Sequence, residues 1–206
     1  MAISLATVGG KITAAFMNLI ITTVNTQGLT AITSTSWVGA SGGFANADNS
    51  FTLGGTTALS ANGCFTSAFE NYVVLVNCSS KSAAVDMELR LRAGGVDSTV
   101  SYRYSRNTVT SALSANQNLA ASSALVDAAQ LAGSTVDSEI KLFRPALAAF
   151  TTGLSVGTTY NTTPSLATWE TGFAHQVAAS FDGFTLSVSA GSMTQGRVRV
   201  YGINGT

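Results

Sequence analysis

The stretch 69-FENYVVLVNCSSKSAAVDMELRLRAGG-95 decides the fold class of this chain. Its first part, 69–78, is rich in β-branched and aromatic residues, which favour strands. After a polar turn, apolar and charged residues alternate from 85 to 92. A period of two is typical of a strand with one buried face. The stretch therefore predicts an antiparallel hairpin that packs one face against a second sheet.

A second clear strand signal lies at the C-terminal end, in 177–205. Asp182-Gly183 is the dipeptide most typical of a two-residue hairpin turn. Apolar and polar residues alternate after it in 184–188 and again in 197–200. These patterns predict a further hairpin and a last strand that is paired and well ordered.

Weaker strand signals fill most of the remaining sequence. One segment, 118–133, is open to two interpretations, a short helix or an extended segment with a loop. Roughly eight strands and no βαβ alternation predict a mainly β fold, an antiparallel, jelly-roll-like β-sandwich. The other predicted strands lie at 30–38, 50–53, 97–109, 138–145, within 146–165, and within 166–180.

Composition narrows the classes of function. The chain has 206 residues, enough for one domain, and only 10% of them are charged, against about a quarter in an average protein. Ser, Thr and Asn supply the polar surface instead. Net charge is zero and no basic run occurs, so the sequence predicts no charge-driven binding of nucleic acid.

An apolar helix is predicted near the N-terminus, between Thr13 and Gly28. It is apolar on most of its circumference, which predicts burial either on its own sandwich or against copies of itself or a docking partner. It is too short to span a membrane, so no membrane insertion is predicted. The predicted anchoring or oligomerisation residues are Ile12, Phe16, Met17, Leu19, Ile20 and Val24.

The sequence thus divides into three predicted parts. Residues 1–28 hold the anchoring helix, 29–63 form a connecting segment with short strands, and 64–206 form the β-sandwich domain. The segment 29–63 consists mainly of Gly, Ser, Thr and Asn with scattered aromatic residues.

Residues with catalytic chemistry are sparse. The single histidine, His175, has no nucleophile motif beside it. Glu139 and Glu170 are the acids that a two-carboxylate mechanism would require, although nothing in the sequence compels them to face each other. No run of acids or Cys/His cluster suggests a metal. We therefore predict no enzyme activity, no catalytic residue, no cofactor and no metal site.

Two further sets of residues leave alternatives open. Cys64 and Cys78 are either two buried free thiols or a disulfide between neighbouring strands. Tyr160 and Trp169 are the predicted ligand contacts, because an exposed aromatic ring can stack on a sugar, while core packing is the more common role of an aromatic residue in a strand.

Three segments resemble virion proteins of tailed bacteriophages, of the minor tail, tail-tip or receptor-binding type. They are 69-FENYVVLVN-77, 87-MELRLRAGGVDSTVSYRYS-105 and 183-GFTLSVSAGSMTQGRVRVYGI-203. The opening helix is similar to anchoring segments of such proteins. The resemblance covers roughly 64–203, although 107–165 departs from it, and it carries over no functional residue.

The resemblance implies a homo-oligomer, which we expect to be a trimer. This oligomer would be built into a phage particle, among other tail or capsid proteins. The helix would hold subunits together, and an exposed sandwich would bind a host cell-surface glycan. One alternative is a capsid decoration protein or head fibre of the same fold. A rival hypothesis is a depolymerase of envelope polysaccharide, and a third is a secreted adhesin.

Overall fold

The structure is a computed structural model that describes residues 28–110, 112–127, 132–161 and 165–204. Within these ranges the chain is built from strands, and none of the described residues is helical. The prediction of a mainly β, antiparallel fold is therefore confirmed. The predicted N-terminal helix, from Ile12 to Val24, lies outside the described residues. The described part also holds no helix of the length and hydrophobicity that a bilayer crossing requires.

The described residues form sixteen strands, several of them only two or three residues long. In chain order they are β1 (Leu29–Ala31), β2 (Ser36–Ala40), β3 (Phe44–Ala45), β4 (Phe51–Leu53), β5 (Ala58–Asn62), β6 (Asn71–Lys81), β7 (Met87–Ala93), β8 (Val96–Asp97), β9 (Tyr102–Val109), β10 (Leu113–Ala121), β11 (Ala124–Leu125), β12 (Thr135–Phe143), β13 (Ala149–Asn161), β14 (Ser165–Ala179), β15 (Gly183–Val188) and β16 (Met193–Ile203).

These strands form two antiparallel sheets. The large sheet has ten described strands in the order β10-β9-β14-β13-β12-β6-β16-β4-β3, and β1 pairs with β16 beside β4. The small sheet has six described strands in the order β11-β7-β15-β5-β2, with β8 paired to β7. The strands of 29–63 belong to both sheets, so this segment contributes directly to the body that it was predicted to precede.

One hydrophobic core lies between the two sheets. Alternate residues of β7, namely Met87, Leu89 and Leu91, are fully buried and come from the small sheet. Ile140 and Leu142 of β12 meet them from the large sheet. Full burial of one such side chain stabilises the fold by about 1.5–3 kcal/mol. The alternation in the sequence therefore predicted the buried face of β7 correctly.

The predicted central hairpin is wrong in its pairing. β6 pairs with β12 and β16 in the large sheet, whereas β7 pairs with β15 and β11 in the small sheet. The connection 82–86 therefore crosses from one sheet to the other instead of joining two neighbours. Both strands bury one apolar face, and the crossing lets those two faces meet across the core rather than side by side.

The second predicted hairpin, at Asp182-Gly183, is wrong for a related reason. β14 lies in the large sheet and β15 in the small one, so the dipeptide also connects the two sheets. A Cβ atom on Gly183 would lie 2.1 Å from the carbonyl oxygen of Ala61 in β5. Glycine is needed here for the close approach of a neighbouring strand, and its φ is not in the left-handed region.

Among the predictions for single segments, one interpretation is wrong, and the predictions for the strand before Pro145 and for the last strand are confirmed. Within 118–133 the described residues are extended, in β10 and β11, so the helical interpretation is wrong for that part. β12 ends at Phe143, shortly before Pro145. The last strand, β16, is paired along both edges, to β6 on one side and to β1 and β4 on the other.

Candidate functional site

The two predicted ligand contacts lie in different environments. Tyr160, in β13, is 53% exposed. Trp169, in β14, is only 4% exposed and belongs to the core, where its Nε1 donates to Ser155 Oγ at 3.4 Å. Its ring lies over Gly157, its partner in the next strand. This geometry matches the core-packing alternative for Trp169, and ligand contact stays a prediction for Tyr160.

The six predicted anchoring residues, from Ile12 to Val24, lie outside the described residues. Their role in docking or oligomerisation stays a prediction.

The outer face of the large sheet points away from the shared core and is formed by ten described strands. Because side chains alternate along each strand, Val156, Thr158 and Tyr160 of β13 share this face. It has an apolar corner patch, all of whose side chains are exposed, in one corner of the sheet. The corner patch consists of Val109, Leu113, Tyr160 and Leu166.

The two glutamates singled out by the sequence lie on this outer face. Glu139 of β12 and Glu170 of β14 both pair with Val156 of β13, so exactly one strand separates them. Two strand spacings place their backbones about 10 Å apart. Glu139 also forms an ion pair with Lys141, with Oε1 and Nζ 3.0 Å apart. Shallow depressions flank Val156 on both sides, one lined by Glu139 and the other by Glu170.

A small ion-pair network lies further along the same face, at β16. Asp48 Oδ2 is 2.8 Å from Arg199 Nη2 and 3.4 Å from Arg197 Nη1. The hydrogen bond from the Ser50 side chain, and then that from Arg199, lowers the pKa of Asp48 to about 2. The cluster is exposed to solvent, so it adds polar character to the face and little stability.

The single histidine pairs with a serine. Ser98 Oγ and His175 Nε2 are 2.8 Å apart, and the imidazole is buried between the rings of Tyr102 and Phe181. Burial lowers the pKa of His175, which favours the neutral ring. The backbone groups of Val177 and Val100 act on this pKa in the opposite direction. Among the described residues, no side chain forms a hydrogen bond with Nδ1. The pair therefore resembles a nucleophile and base in distance alone, because no third side chain among the described residues orients the base.

A buried ion pair is the most unusual polar feature in the described structure. Lys81, at the end of β6, and Asp127, just after β11, are both fully buried. Lys81 Nζ donates to Asp127 Oδ2 at 2.5 Å and to the Val85 carbonyl oxygen at 2.6 Å. The backbone N–H of Met87 donates to Asp127 Oδ1 at 2.6 Å.

Other polar groups surround this pair. Arg106 Nη1 donates to Asp86 Oδ1 at 2.5 Å and to the main-chain carbonyl oxygen of Asp127 at 2.8 Å. The Val126 carbonyl oxygen accepts from the hydroxyls of Ser138 and Ser155. Burial raises the pKa of Asp127, while the Lys81 ammonium acts in the opposite direction. The cluster thus joins a strand end of each sheet through charged and hydroxyl groups.

Sequence reasoning did not find this cluster. Lys81 stands in a polar run that was interpreted as a turn, and Asp127 stands in the ambiguous segment 118–133. The only available signal was compositional, since Lys81 is one of three lysines in the chain and stands shortly after an apolar strand. Nothing in the sequence links it to an acid 46 residues away.

The two cysteines are free thiols, and both are buried. Burial raises the pKa of Cys78 to about 11 and also raises the pKa of Cys64. Neither is therefore a ready nucleophile at neutral pH. In the ranges that the structure describes, no three His, Cys, Asp or Glu side chains cluster closely enough to hold a metal ion.

No family model, no curated protein and no solved structure matches the chain.

Proposed function

We propose that this chain is a structural protein of a tailed-bacteriophage particle, a minor tail, tail-tip or fibre component whose β-sandwich binds the host surface. The observation that carries the proposal is where the phage-like segments lie. The segments 69–77 and 183–203 contribute β6 and β16, which pair with each other, and 87–105 contributes β7, which pairs with β15. The resemblance therefore falls on the paired middle of both sheets.

In this proposal the two sheets form a jelly-roll-like sandwich and residues 1–28 form an anchoring helix. The helix holds three copies together or docks them on other virion proteins. The net charge of zero supports assembly into an oligomer, because a protein near zero net charge is poorly protected against self-association. Such a property suits a subunit of an assembly.

The host-binding surface in this proposal is the outer face of the large sheet around the corner patch. Exposed apolar side chains that lie together commonly mark an interaction site. Tyr160 adds an exposed ring for stacking on a sugar, and the neighbouring Thr158 and Thr168 supply hydroxyls. A glycan of the bacterial envelope fits this mixture of an aromatic ring and uncharged polar groups.

Immunogold electron microscopy tests the placement in a particle. An antibody raised against the purified chain would be applied to purified phage particles from a strain that carries the gene. We expect gold at the tail tip or along a tail fibre. Gold over the capsid would favour the alternative, a decoration protein or head fibre. Unlabelled particles, with all of the protein in the particle-free lysate, would overturn the virion proposal.

Binding to host cells tests the surface. The full chain, fluorescently labelled, would be titrated onto host cells and onto the polysaccharide purified from their envelope. Tyr160→Ala should weaken binding about tenfold, in the range of an aromatic hot spot. Val96→Ser, which changes an exposed apolar side chain of the small sheet, is the control. Equal binding by both variants and the unchanged chain would exclude the corner patch.

The anchoring helix is tested in the full chain. Phe16→Asp together with Ile20→Asp places two charges on the predicted apolar surface, so the trimer should dissociate to monomers while the circular dichroism of the sheets is unchanged. Molar mass from light scattering is the measurement. A doubly substituted chain that assembles normally would show that the helix is not the contact.

A depolymerase is the second candidate, favoured by the spacing of Glu139 and Glu170. The two carboxylates lie on one face with a single strand between them, which brings them near the separation that inverting glycosidases use. If the chain releases fragments from host polysaccharide, and Glu139→Gln or Glu170→Gln abolishes the release, this candidate replaces the binding-only proposal. Release that persists in both variants would exclude these two acids.

A further inference from the structure

The buried pair of Lys81 and Asp127 brings an amine and a carboxyl group into contact where water has no access. Both side chains have no exposed surface, and Nζ lies 2.5 Å from Oδ2. We propose that these two side chains condense to an amide, an intramolecular cross-link between Lys81 Nζ and Asp127 Cγ. This modification is independent of the proposed function.

The condensation needs no partner from outside the chain. The Lys81 ammonium first passes a proton to the Asp127 carboxylate across their contact, which gives a neutral amine and a neutral acid. The nitrogen lone pair adds to Cγ and forms the N–C bond. One Cγ–O bond then breaks, and that oxygen leaves with its own proton and one from the nitrogen as water. No electrons are gained or lost, and a neutral amide remains.

Burial favours both the neutral pair and the amide. Burying two charges carries a large desolvation cost, and their attraction offsets this only in part. The pKa of Asp127 is raised by burial, in the direction that protonates the carboxyl. An amine freed of its proton in a site closed to water is a nucleophile. Release of water from an enclosed site also disfavours the reverse reaction, because hydrolysis requires that water to return.

Backbone groups hold both reactants in place. The Val85 carbonyl oxygen accepts from Lys81 Nζ, and the Met87 N–H holds Asp127 Oδ1, the oxygen that stays in the amide. The other oxygen, Oδ2, faces the nitrogen and is the one that leaves. Well-oriented groups within one molecule react with effective molarities of about 10⁵ M or more, which makes an uncatalysed condensation feasible.

The cross-link would connect the two sheets covalently. Lys81 belongs to β6 of the large sheet, and Asp127 lies two residues after the end of β11, at the edge of the small sheet. The bond closes a loop between positions 46 residues apart. It therefore restrains the unfolded chain in the way that a disulfide does, without depending on redox conditions.

The intact mass of the unfolded full chain is the first test. The protein would be purified, denatured and measured by mass spectrometry. We expect a mass lower than that of the sequence by one water molecule, and no such deficit in Lys81→Arg or in Asp127→Ala. Lys141→Arg is the matched control, because it alters an exposed lysine that also contacts a carboxylate, and it should keep the deficit. A full sequence mass for the unchanged chain would overturn the proposal.

A tryptic map locates the lost water. Trypsin does not cleave at an acylated lysine, so the cross-link predicts that peptide 12–90 is joined to peptide 107–141 and that free peptide 82–90 is missing. Cyclisation at Asp182-Gly183 would also remove one water, but it would leave 82–90 free and shift a different peptide. Recovery of 82–90 in full yield would show that the pair is ionic only. This result does not depend on whether the variants fold.

Discussion

Two lysine–carboxylate pairs in this molecule have nearly the same chemistry and opposite surroundings. Lys81 and Asp127 are 2.5 Å apart with both side chains fully buried, whereas Lys141 and Glu139 are 3.0 Å apart with both side chains 42% exposed. The buried pair sits between two sheets, and the exposed pair lies on one outer face. The distance between the charged atoms therefore says little about how much a pair contributes to stability. The dielectric of its surroundings determines that contribution.

Water makes the difference between these pairs. An exposed ion pair is screened and typically contributes about 0.2–1 kcal/mol. In the buried pair each partner neutralises a charge that the interior would otherwise have to accommodate alone. The buried lysine is consequently a position where substitution has a large effect, and the exposed lysine is a position where it has almost none.

The largest effect is expected from breaking the buried pair on one side. Lys81→Met leaves the Asp127 carboxylate without its cation, so we expect the free energy of unfolding to fall by about 3–5 kcal/mol. Urea denaturation followed by tryptophan fluorescence measures it. A loss below about 1 kcal/mol would mean that the pair is not buried in solution.

The double variant Lys81→Met with Asp127→Leu sharpens the same comparison. If the pair is ionic, the double variant regains most of the lost stability, because no charge is left unpaired. If the pair has condensed, the double variant stays well below the unchanged chain, because it also lacks the cross-link. The two outcomes separate the ion pair from the amide by denaturation alone.

A smaller effect is expected from His175, a third buried group that can titrate. Its pKa is lowered by burial, so below about pH 6.5 the unfolded chain takes up a proton that the folded chain does not. Stability is therefore full above that pH and falls as the pH drops towards the folded pKa. His175→Phe should flatten this part of the profile.

Denaturation midpoints at pH 7.5 and 5.5 would measure the effect of His175. Carboxylates contribute to acid unfolding as well, and Asp48, with its lowered pKa, does so only at more acidic pH. If the difference between the two midpoints is the same in His175→Phe as in the unchanged chain, the pH dependence of stability comes from other groups.

The smallest effect is expected from the exposed pair. Lys141→Ala and Glu139→Gln should each change the free energy of unfolding by no more than about 0.5 kcal/mol, and less at high salt. Thermal unfolding at low and high salt measures both. A loss near that of Lys81→Met would contradict the comparison between the two pairs.

The sequence predicted strands better than it predicted their partners. Alternation is a local property, so the buried residues of β7, such as Leu89 and Leu91, could be identified from position alone. Pairing depends on distant strands. β6 is followed by β7 along the chain, yet its neighbours are β12 and β16, which no local pattern specifies.

Turn chemistry misled for a physical reason. Asp-Gly favours a hairpin when the turn needs a left-handed glycine, but Gly183 is required because the Ala61 carbonyl approaches it closely. The candidate functional sites likewise depend on contacts that no local sequence pattern specifies. The shared face of Glu139 and Glu170 follows from a register that only the sheet reveals. The contact of Lys81 with Asp127 joins a segment predicted to be a turn to a segment that the sequence left open between a short helix and an extended loop.

The pairing of β6 with β16 has a consequence for how the chain reaches its fold. Val76 lies against Val198 in the middle of the large sheet, so this sheet cannot be completed until a late part of the polypeptide has been made. Contacts so distant along the chain slow folding and leave strand edges open in the meantime. During synthesis on the ribosome, the edge of β6 that pairs with β16 therefore stays unpaired for some time. At that stage a neighbouring nascent copy of the chain could pair with it instead.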